Sequence, residues 1–475
     1  MQTTRSVLLL ILLAFSTAVP QKLSKSNRVY IDSIMNASYK PGEPGAVVLV
    51  ARNGQVLFRK GYGMASLELN VKQRPEFLFP LGSIVKQFTA VGTLKLCQEG
   101  KLSLQDDVRK FIPDYNTHGR IITIENLLTH TSGIMSLYEM PDYMKLRRND
   151  FLPDEVRKLF QDKELYFEPG MDWNYSNSGF TLLGIIIEKV SGMSHSDFLK
   201  TNIFTPLNMT RTFIASGDKV IPGLVPYYKA AGKGNYKPGP YFSFTSLFAA
   251  GDIISCCDDM LKWDEALYTE KILKKEWLSK AWTSYILPDK ENTNYGFGWA
   301  LGEYKGMHFI QHDGIAGYLS DAIRVPEKHL YVFIASNNGS KNPNDAANKI
   351  ALRLLGLSIK NTPVKMDAEA LEEYKGTFEV RRPAGNDFRY ASKEKVLRSI
   401  SLSGDSLFSE CKAEGRYRLI PVEKDVFLFE ATDTKMQYQR DEKGRIKGIR
   451  IYSEPVNYGP DDIEPVSKVT VSAER

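Results

Sequence analysis

Hydrophobic segments near the start of the chain are separated by turn residues in a way that predicts a β-hairpin. The apolar segment 45–51 is followed by Asn53-Gly54 and then by a second apolar segment at 56–58. Asn-Gly between two such segments is a strong signal of a two-residue hairpin turn. A β-sheet is therefore expected to begin here.

Between residues 80 and 268 the pattern changes to helices joined by polar loops. Apolar positions at helical spacing predict one helix over 83–98 and another over 178–190. Further along the chain, the pattern predicts strands at 306–311, 318–325 and 330–335 and a helix at about 344–355. Strands at both ends of a mostly helical region predict an α/β (α+β) fold. One antiparallel sheet would be built from both ends of the domain, around a helical insertion.

The pattern changes again after Gly356. A short linker and one helix near 366–373 precede several short strands, at 374–380, 397–402, 417–422, 426–430 and 445–452. Short strands at near-regular spacing, separated by turns, predict a small all-β barrel or sandwich. We therefore predict a first domain over 19–357 and a second over 358–475, which begins with the linker.

The first 18 residues have the pattern of a secretory signal peptide. Arg5 supplies a positive charge, an apolar run follows from Val7 to Phe15, and small residues at 16–18 match a cleavage site. The apolar run is much shorter than the roughly 20 residues that a membrane-spanning helix requires. We expect an exported protein, periplasmic or secreted, without membrane insertion.

Composition excludes several other classes of protein. The chain has 475 residues, and its net charge of +6 is not gathered into long basic runs, so nucleic acid is not expected as a partner. The four cysteines are too few for a disulfide framework. Neither Cys-x-x-Cys nor His-Glu-x-x-His is present. We expect no metal site and no organic cofactor.

Ser83 and Lys86, at the start of the first predicted helix, are the strongest candidates for chemistry. Positions i and i+3 share a helix face, so the hydroxyl and the amine can come into contact. Lysine can then activate the serine, either as a neutral base or by favouring a nearby phenolate. Three other Ser-x-x-Lys sequences begin at Ser216, Ser392 and Ser409. Only Ser83 follows a glycine and opens an apolar helix.

Two further motifs follow in the chain. Tyr175 and Asn177 lie in a loop just before the second helix, and no other tyrosine has Asn two positions later. His312 and Gly314 form the only His-x-Gly sequence and are placed at the first of the returning strands. A serine on a helix, a Tyr/Asn loop and a strand edge with His-x-Gly are the groups that a serine acyl-transfer site needs.

In this order, the three motifs resemble those of the penicillin-recognising serine hydrolases. This superfamily comprises class C β-lactamases, D-alanyl-D-alanine carboxypeptidases, D-aminopeptidases and related esterases. The resemblance covers about 25–357 and includes the stretch Leu-Leu-Thr-His-Thr-Ser-Gly at 127–133. It implies a β-lactamase-like fold for the first domain. The C-terminal region resembles the lipocalin-like β-barrel that follows this domain in some members.

The resemblance also implies a catalytic role for four residues. Ser83 would be the acylated nucleophile and Lys86 its activator. Tyr175 would be the general base or a proton shuttle. His312 would stand where many relatives have the lysine of a Lys-Thr-Gly motif. We further expect that protonation of His312 modulates activity between acid and neutral pH, because histidine has an ordinary pKa near 6.5.

Three more residues are expected to contact the substrate. By the same resemblance, Asn177 would orient the substrate amide, and the backbone N–H groups of Ser83 and Ile315 would form the oxyanion hole. Gly314 has no side chain, so we expect substrate to lie close against the strand at this point.

The sequence departs from the family pattern because it contains no Lys-Thr-Gly or Lys-Ser-Gly. A permanent cation that would hold a substrate carboxylate is replaced by His312. This makes β-lactams and peptides with a free carboxylate less favoured as substrates. It favours activity like that of a D-aminopeptidase or an esterase.

The expected function is an exported serine hydrolase that cleaves an amide or ester bond of a small substrate or peptide through a Ser83 acyl-enzyme. One alternative is a catalytically inactive binding or regulatory protein on the same fold. Another is a weak β-lactamase or penicillin-binding carboxypeptidase. The α/β-hydrolase class is excluded because Gly-x-Ser-x-Gly is absent. The C-terminal domain could mediate an oligomer.

Overall fold

The computed structural model describes residues 22–140, 142–215, 219–358, 361–380, 396–411, 415–430, 434–453 and 462–463. The predicted signal peptide at 1–18 lies outside the described residues. Among the helices that the structure does describe, none is both long and apolar enough to cross a membrane.

Helices and strands are labelled in chain order. The helices are α1 (Lys25–Ser38), α2 (Val85–Gln98), α3 (Ile124–Leu128), α4 (Tyr143–Leu146), α5 (Pro153–Lys158), α6 (Asn177–Ser191), α7 (His195–Leu199), α8 (Cys257–Ala266), α9 (Lys275–Ala281), α10 (Asn344–Leu354) and α11 (Ala368–Glu372). The strands up to residue 336 are β1 (Ala46–Arg52), β2 (Gln55–Tyr62), β3 (Met64–Ser66), β4 (Val71–Lys72), β5 (Phe79–Pro80), β6 (Phe213–Ile214), β7 (Tyr228–Gly232), β8 (Asn235–Pro238), β9 (Ile253–Ser255), β10 (Ala300–Tyr304), β11 (Met307–Ala316), β12 (Tyr318–Val325) and β13 (Leu330–Ser336). The remaining strands are β14 (Gly376–Val380), β15 (Val396–Ser403), β16 (Ser406–Cys411), β17 (Gly415–Glu423), β18 (Val426–Phe429), β19 (Thr434–Arg440), β20 (Ile446–Ser453) and β21 (Asp462–Ile463).

A six-stranded antiparallel sheet forms the centre of the first part of the chain, in the order β10-β11-β12-β13-β1-β2. The hairpin near the N-terminus closes onto the last of the returning strands, since Ala46 pairs with Ser336. The sheet is therefore assembled from both ends of the domain, and the predicted fold class is confirmed.

Both faces of this sheet are buried, which explains the continuous apolar run of β1. Alternate side chains of a strand point to opposite faces. Val47 and Leu49 join the larger core, which contains helices α2 and α6. Val48 and Val50 join a second core, beneath α1 and α10. The larger core carries the helices on which the candidate residues stand.

Strand β10 of this sheet and helix α1, which packs beneath it, were not predicted from the sequence. Strand β10 precedes β11 at the edge of the sheet, and its residues are mostly half-exposed, so its alternation is weak. Strand β11 also continues past the predicted end at residue 311, to Ala316. His312 and Gly314 consequently lie within the second returning strand rather than at the first. Helix α1 was missed because it is largely polar and buries only Ile31 and Met35.

Strands β14 to β21 form one antiparallel sheet in which each strand pairs with the next along the chain. The first and last strands of this sheet lie near each other, so the sheet curls into a nearly closed barrel. Tyr374, Phe427 and Tyr438 pack in its core. The all-β architecture expected here is confirmed. Strands β16, β19 and β21 were not predicted individually, and the boundary at 357/358 remains a prediction.

Two glycines allow the turn before α2 to lie directly against β11. A Cβ atom at Gly314 would sit 1.9 Å from the carbonyl oxygen of Leu81. A Cβ atom at Gly82 would sit 2.6 Å from the backbone nitrogen of Ile315, and Gly82 has a φ of +55°. Ser320 of β12 fixes the same turn, because its hydroxyl donates to the Leu81 carbonyl at 2.8 Å. Any side chain at either glycine would force the turn and the strand apart.

We predict that Gly314→Ala destabilises the protein, because the new methyl group overlaps the Leu81 carbonyl. Such overpacking costs about 1–3 kcal/mol of the free energy of unfolding, which urea denaturation measures. Gly179→Ala is the matched control, since its Cβ would have its nearest neighbour at an ordinary 3.5 Å, within helix α6. Equal stability of Gly314→Ala and wild type would contradict the packing described here.

Candidate active site

Ser83 lies in a 3₁₀ turn, Gly82–Ile84, that leads directly into α2. The residue is half-buried, whereas Lys86, one turn further on, is completely buried. The Lys86 Nζ atom lies 3.1 Å from Ser83 Oγ. The predicted contact between hydroxyl and amine is therefore present.

Lys86 has two further partners, and both can only accept a hydrogen bond. Its Nζ atom lies 2.8 Å from Asn177 Oδ1 and 3.0 Å from the carbonyl oxygen of Ala250. Burial lowers the pKa of Lys86 well below its ordinary value, and the more distant charge of Asp313 only partly opposes this. The environment thus favours a neutral amine. A neutral amine has two N–H groups, which match the two acceptors, and one lone pair, which can face Ser83.

Asn177 is the first residue of α6, and Ser136 holds it in place. The Ser136 hydroxyl accepts hydrogen bonds from both the backbone N and the side-chain Nδ2 of Asn177, each at 3.2 Å. Both ends of the Asn177 amide are therefore engaged, one by Ser136 and the other by Lys86. In this structure Asn177 positions the lysine, while its expected contact with a substrate amide remains a prediction.

Tyr175 lies on the loop before α6, and its ring centroid is 4.9 Å from Lys86 Nζ. Burial raises the pKa of Tyr175 well above its ordinary value, and the nearby Ser83 hydroxyl acts against this shift. The tyrosine therefore keeps its proton and is neutral. The neighbouring Lys86 is also driven towards its neutral form. Of the two routes considered for activating the serine, this electrostatic pattern favours the neutral lysine over a phenolate.

His312 is fully buried on β11, with its ring centroid 6.1 Å from that of Tyr175. Its Nδ1 atom lies 2.7 Å from the carbonyl oxygen of Asp313, which can only accept, so Nδ1 carries the proton. Nε2 then accepts from the hydroxyl of Tyr295 at 2.9 Å. Burial, together with the charge of Lys86, lowers the pKa of His312 to about 3. The expectation that His312 titrates between acid and neutral pH does not hold in this structure.

Gly314 and Ile315 are placed on β11 beside the serine turn. The Leu81 carbonyl fills the space opposite Gly314. The missing side chain therefore makes room for the serine turn, whereas the sequence had led us to expect that it makes room for substrate. Ile315 follows immediately, the residue is 45% exposed, and its backbone nitrogen lies close to Gly82. The N–H groups of Ser83 and Ile315 thus lie on adjoining segments, while the oxyanion hole itself remains a prediction.

Three positioning residues were not assigned from the sequence. His130, in the family-like stretch, packs against Tyr175 with tilted rings whose centroids are 4.3 Å apart. Its Nδ1 atom also accepts a hydrogen bond from the backbone N of Ser176 at 3.1 Å. Tyr295 is the partner of His312, and Ser136 is the partner of Asn177. The 127–133 stretch was a usable signal for His130, but nothing in the sequence marks Tyr295 among 24 tyrosines.

A lysine-activated serine, a Tyr-x-Asn loop and a glycine-bearing strand define the penicillin-recognising serine hydrolases. The β-lactamase family model matches residues 31–357, so this chain belongs to the β-lactamase family. The predicted superfamily is thereby confirmed.

The relatives cover most of the chain. Penicillin-binding protein 4* of Bacillus subtilis is 25% identical over 444 residues, which are 88% of this chain and 94% of that protein. The structure of the octameric penicillin-binding protein homologue from Pyrococcus abyssi has 26% identity and a TM-score of 0.63, and it covers 91% of this chain and 98% of its own. The D-amino acid amidase of Ochrobactrum anthropi SV3 has 23% identity and a TM-score of 0.61, with 70% and 99% covered, which shows the fold alone.

We predict that His312→Gln slows the reaction of Ser83 with a fluorophosphonate, by up to about 100-fold, because the group that holds Tyr295 is altered. The shape of the pH profile between pH 5 and 8 should not change. A histidine with a pKa of about 3 is already neutral throughout this range.

His308→Gln is the control, since His308 is an exposed histidine of the same strand, paired with Glu327. Labelling rates measured across the pH range compare the three proteins. An acid limb between pH 5 and 8 that disappears only in His312→Gln would show that His312 does titrate.

Proposed function

We propose that this protein is a serine hydrolase that cleaves an amide or ester bond through an acyl-enzyme at Ser83. The observation that supports this most is the 3.1 Å contact between Ser83 Oγ and the buried Lys86 Nζ, whose other two partners can only accept hydrogen bonds. The pKa of Lys86 is lowered and that of Tyr175 is raised, both mainly by burial. A neutral amine that can accept a proton and a tyrosine that keeps its own proton therefore flank Ser83.

The first half-reaction follows from these positions. Ser83 Oγ attacks the substrate carbonyl carbon while its proton passes to the lone pair of Lys86. The carbonyl oxygen becomes negative and accepts hydrogen bonds from the N–H groups of Ser83 and Ile315. As the bond to the leaving group breaks, Tyr175 protonates the departing nitrogen or oxygen. The proton held on Lys86 then restores Tyr175.

The second half-reaction releases the acyl group. Water attacks the ester carbonyl of the acylated Ser83 and transfers a proton to the neutral Lys86. The serine oxygen leaves and regains a proton from the resulting ammonium group. His312 contributes as the neutral acceptor that fixes Tyr295, and no step requires its protonation.

The substrate class is proposed more coarsely than the reaction. A neutral His312 in place of the Lys-Thr-Gly lysine favours activity like that of a D-aminopeptidase, D-amino acid amidase or esterase over that of a β-lactamase. The amidase with the same fold is consistent with this choice. Small peptides, amides and esters are the substrates to test.

We also propose that the protein is exported, as residues 1–18 indicate, and that it forms an oligomer. The octameric Pyrococcus abyssi homologue, which covers 91% of this chain, supports the second proposal. Light scattering of the purified protein tests assembly, and N-terminal sequencing of protein from the culture medium or periplasm tests export. A monomer at all concentrations, or an uncleaved N-terminus, would exclude the respective proposal.

We predict a single fluorophosphonate adduct on the mature protein, mapped to Ser83 by mass spectrometry. Ser83→Ala removes the acceptor and Lys86→Ala removes the base, so both should lose the adduct while remaining folded. Lys95→Ala, in the same helix but partly exposed and paired with Glu99, should keep the adduct.

No adduct on folded wild-type protein would favour the alternative of an inactive binding protein on this fold. An adduct that persists in Lys86→Ala would mean that another group activates the serine. After a positive result, a panel of D-amino acid amides, short-chain esters and β-lactams assigns the substrate class.

A further inference from the structure

Arg147 places a cation in a group of aromatic side chains beside the candidate site. This group, called the aromatic wall, consists of Tyr138, Tyr143, Tyr227 and Phe242. Arg147 follows α4 and is half-buried, and its guanidinium lies 5.6 Å from the ring centroid of Phe242. Its backbone carbonyl accepts a hydrogen bond from Ser243 at 2.8 Å, which fixes the segment. Among the residues that the structure describes, none forms an ion pair or a side-chain hydrogen bond with this guanidinium. Asp150, the acidic group nearest in sequence, is instead engaged by Ser243 and Thr245.

One side of this wall reaches the strand that carries the expected oxyanion hole. Phe242 and Tyr227 pack over Gly317, where a Cβ atom would lie 2.8 Å and 2.7 Å from their rings, respectively. Gly317 is two residues after Ile315, at the turn between β11 and β12. The cation, its aromatic partner and the end of β11 are therefore contiguous.

The other side of the wall reaches the Tyr175 loop. Tyr138 packs edge-to-face against Tyr143, with ring centroids 5.3 Å apart, and lies two residues after Ser136, which holds Asn177. Burial raises the pKa of Tyr138 to about 12, and the positive charge of Arg147 opposes this. Tyr138 in turn contributes to the raised pKa of Tyr175, after burial and Asp313. Arg147 thus contacts the β11 side through Phe242 and acts electrostatically on Tyr138, on the side of the Tyr175 loop.

The other basic groups around Ser83 are driven towards neutrality. Burial lowers the pKa values of Lys86, His130 and His312. Arginine keeps its charge in proteins, and its planar guanidinium binds carboxylates through two parallel hydrogen bonds. Aromatic neighbours exclude water from one side, which strengthens such a contact.

We propose that Arg147 is an anion-binding subsite that selects substrates with a carboxylate away from the scissile amide or ester bond. This inference rests on the proposed hydrolase function and refines its substrate class. The cleft would then have an anchor for anions even though the Lys-Thr-Gly lysine is missing. The anchor would stand on the aromatic wall instead of on the strand.

The test compares matched esters that differ only in a carboxylate. On the acyl side, 4-nitrophenyl adipate monoester is compared with 4-nitrophenyl hexanoate; on the leaving-group side, 3-acetoxybenzoate is compared with phenyl acetate. Spontaneous hydrolysis is subtracted. We expect wild type to prefer the carboxylate in at least one pair. Arg147→Gln should remove this preference by lowering kcat/KM of the anionic ester roughly 10- to 100-fold, mainly through KM.

Two further variants separate recognition from packing and from general charge. Arg147→Lys keeps the charge without the planar fork and should retain part of the preference. Arg148→Gln removes the same charge from the exposed neighbouring residue and should change neither ester. The proposal is wrong if folded Arg147→Gln keeps the preference, if both esters of a pair are slowed equally, or if Arg148→Gln has the same effect. No preference for either anionic ester in wild type also contradicts it.

Failure of the hydrolase proposal itself would look different. Wild type would then form no fluorophosphonate adduct and hydrolyse neither ester of a pair. In that case, calorimetric binding of adipate monoanilide to wild type and to Arg147→Gln tests the subsite alone. Binding to wild type that is lost in Arg147→Gln supports the subsite. Absent binding, or equal binding to both proteins, overturns it.

Discussion

The site depends on the burial of one amine, that of Lys86, away from any counter-charge at bonding distance. Among the described residues its partners are a hydroxyl, an amide oxygen and a backbone carbonyl, and no carboxylate lies within ion-pair distance. An ammonium group in such surroundings pays a large desolvation penalty, so the neutral form is favoured. The surrounding fold serves to keep the two fixed acceptors and the serine around this amine.

One of those acceptors is presented by a strained turn. Phe248 adopts a φ of +45°, which is uncommon for a residue with a bulky side chain. The turn presents the carbonyls of Ala249 and Ala250 to Thr89 and Lys86, one turn apart on α2. It packs on α6 at Gly184, where a Cβ atom would lie 2.4 Å from that of Ala249. Backbone strain and the missing side chain of a glycine are therefore both used to place the lysine.

Local patterns were sufficient for much of the fold and for the main site residues. The hairpin, α2, α6 and the strands β11 to β13 all contain clear apolar segments, because both faces of their sheet or most of the helix surface are buried. Ser83, Lys86, Tyr175, Asn177 and His312 were found because each belongs to a motif, and the structure brings them together. Their catalytic roles remain predictions.

What the sequence could not provide depends on contacts between distant segments. Tyr295 and Ser136 acquire their positions from His312 and Asn177, and no local pattern marks them. The role of Gly314 was misjudged because the neighbour that fills its space, Leu81, is 233 positions earlier in the chain. The neutral state of His312 likewise follows from burial by elements far apart in sequence, which residue type alone does not reveal.

The most direct test of this account is the titration of Lys86 itself. In protein labelled with carbon-13 on its lysines, the Lys86 Cε signal can be assigned by its absence in Lys86→Met and followed by NMR as pH rises. We expect a midpoint well below the value of about 10.4 that is ordinary for lysine, while exposed lysines in the same spectra titrate normally. A midpoint at or above that of the exposed lysines would contradict activation of Ser83 by a neutral amine.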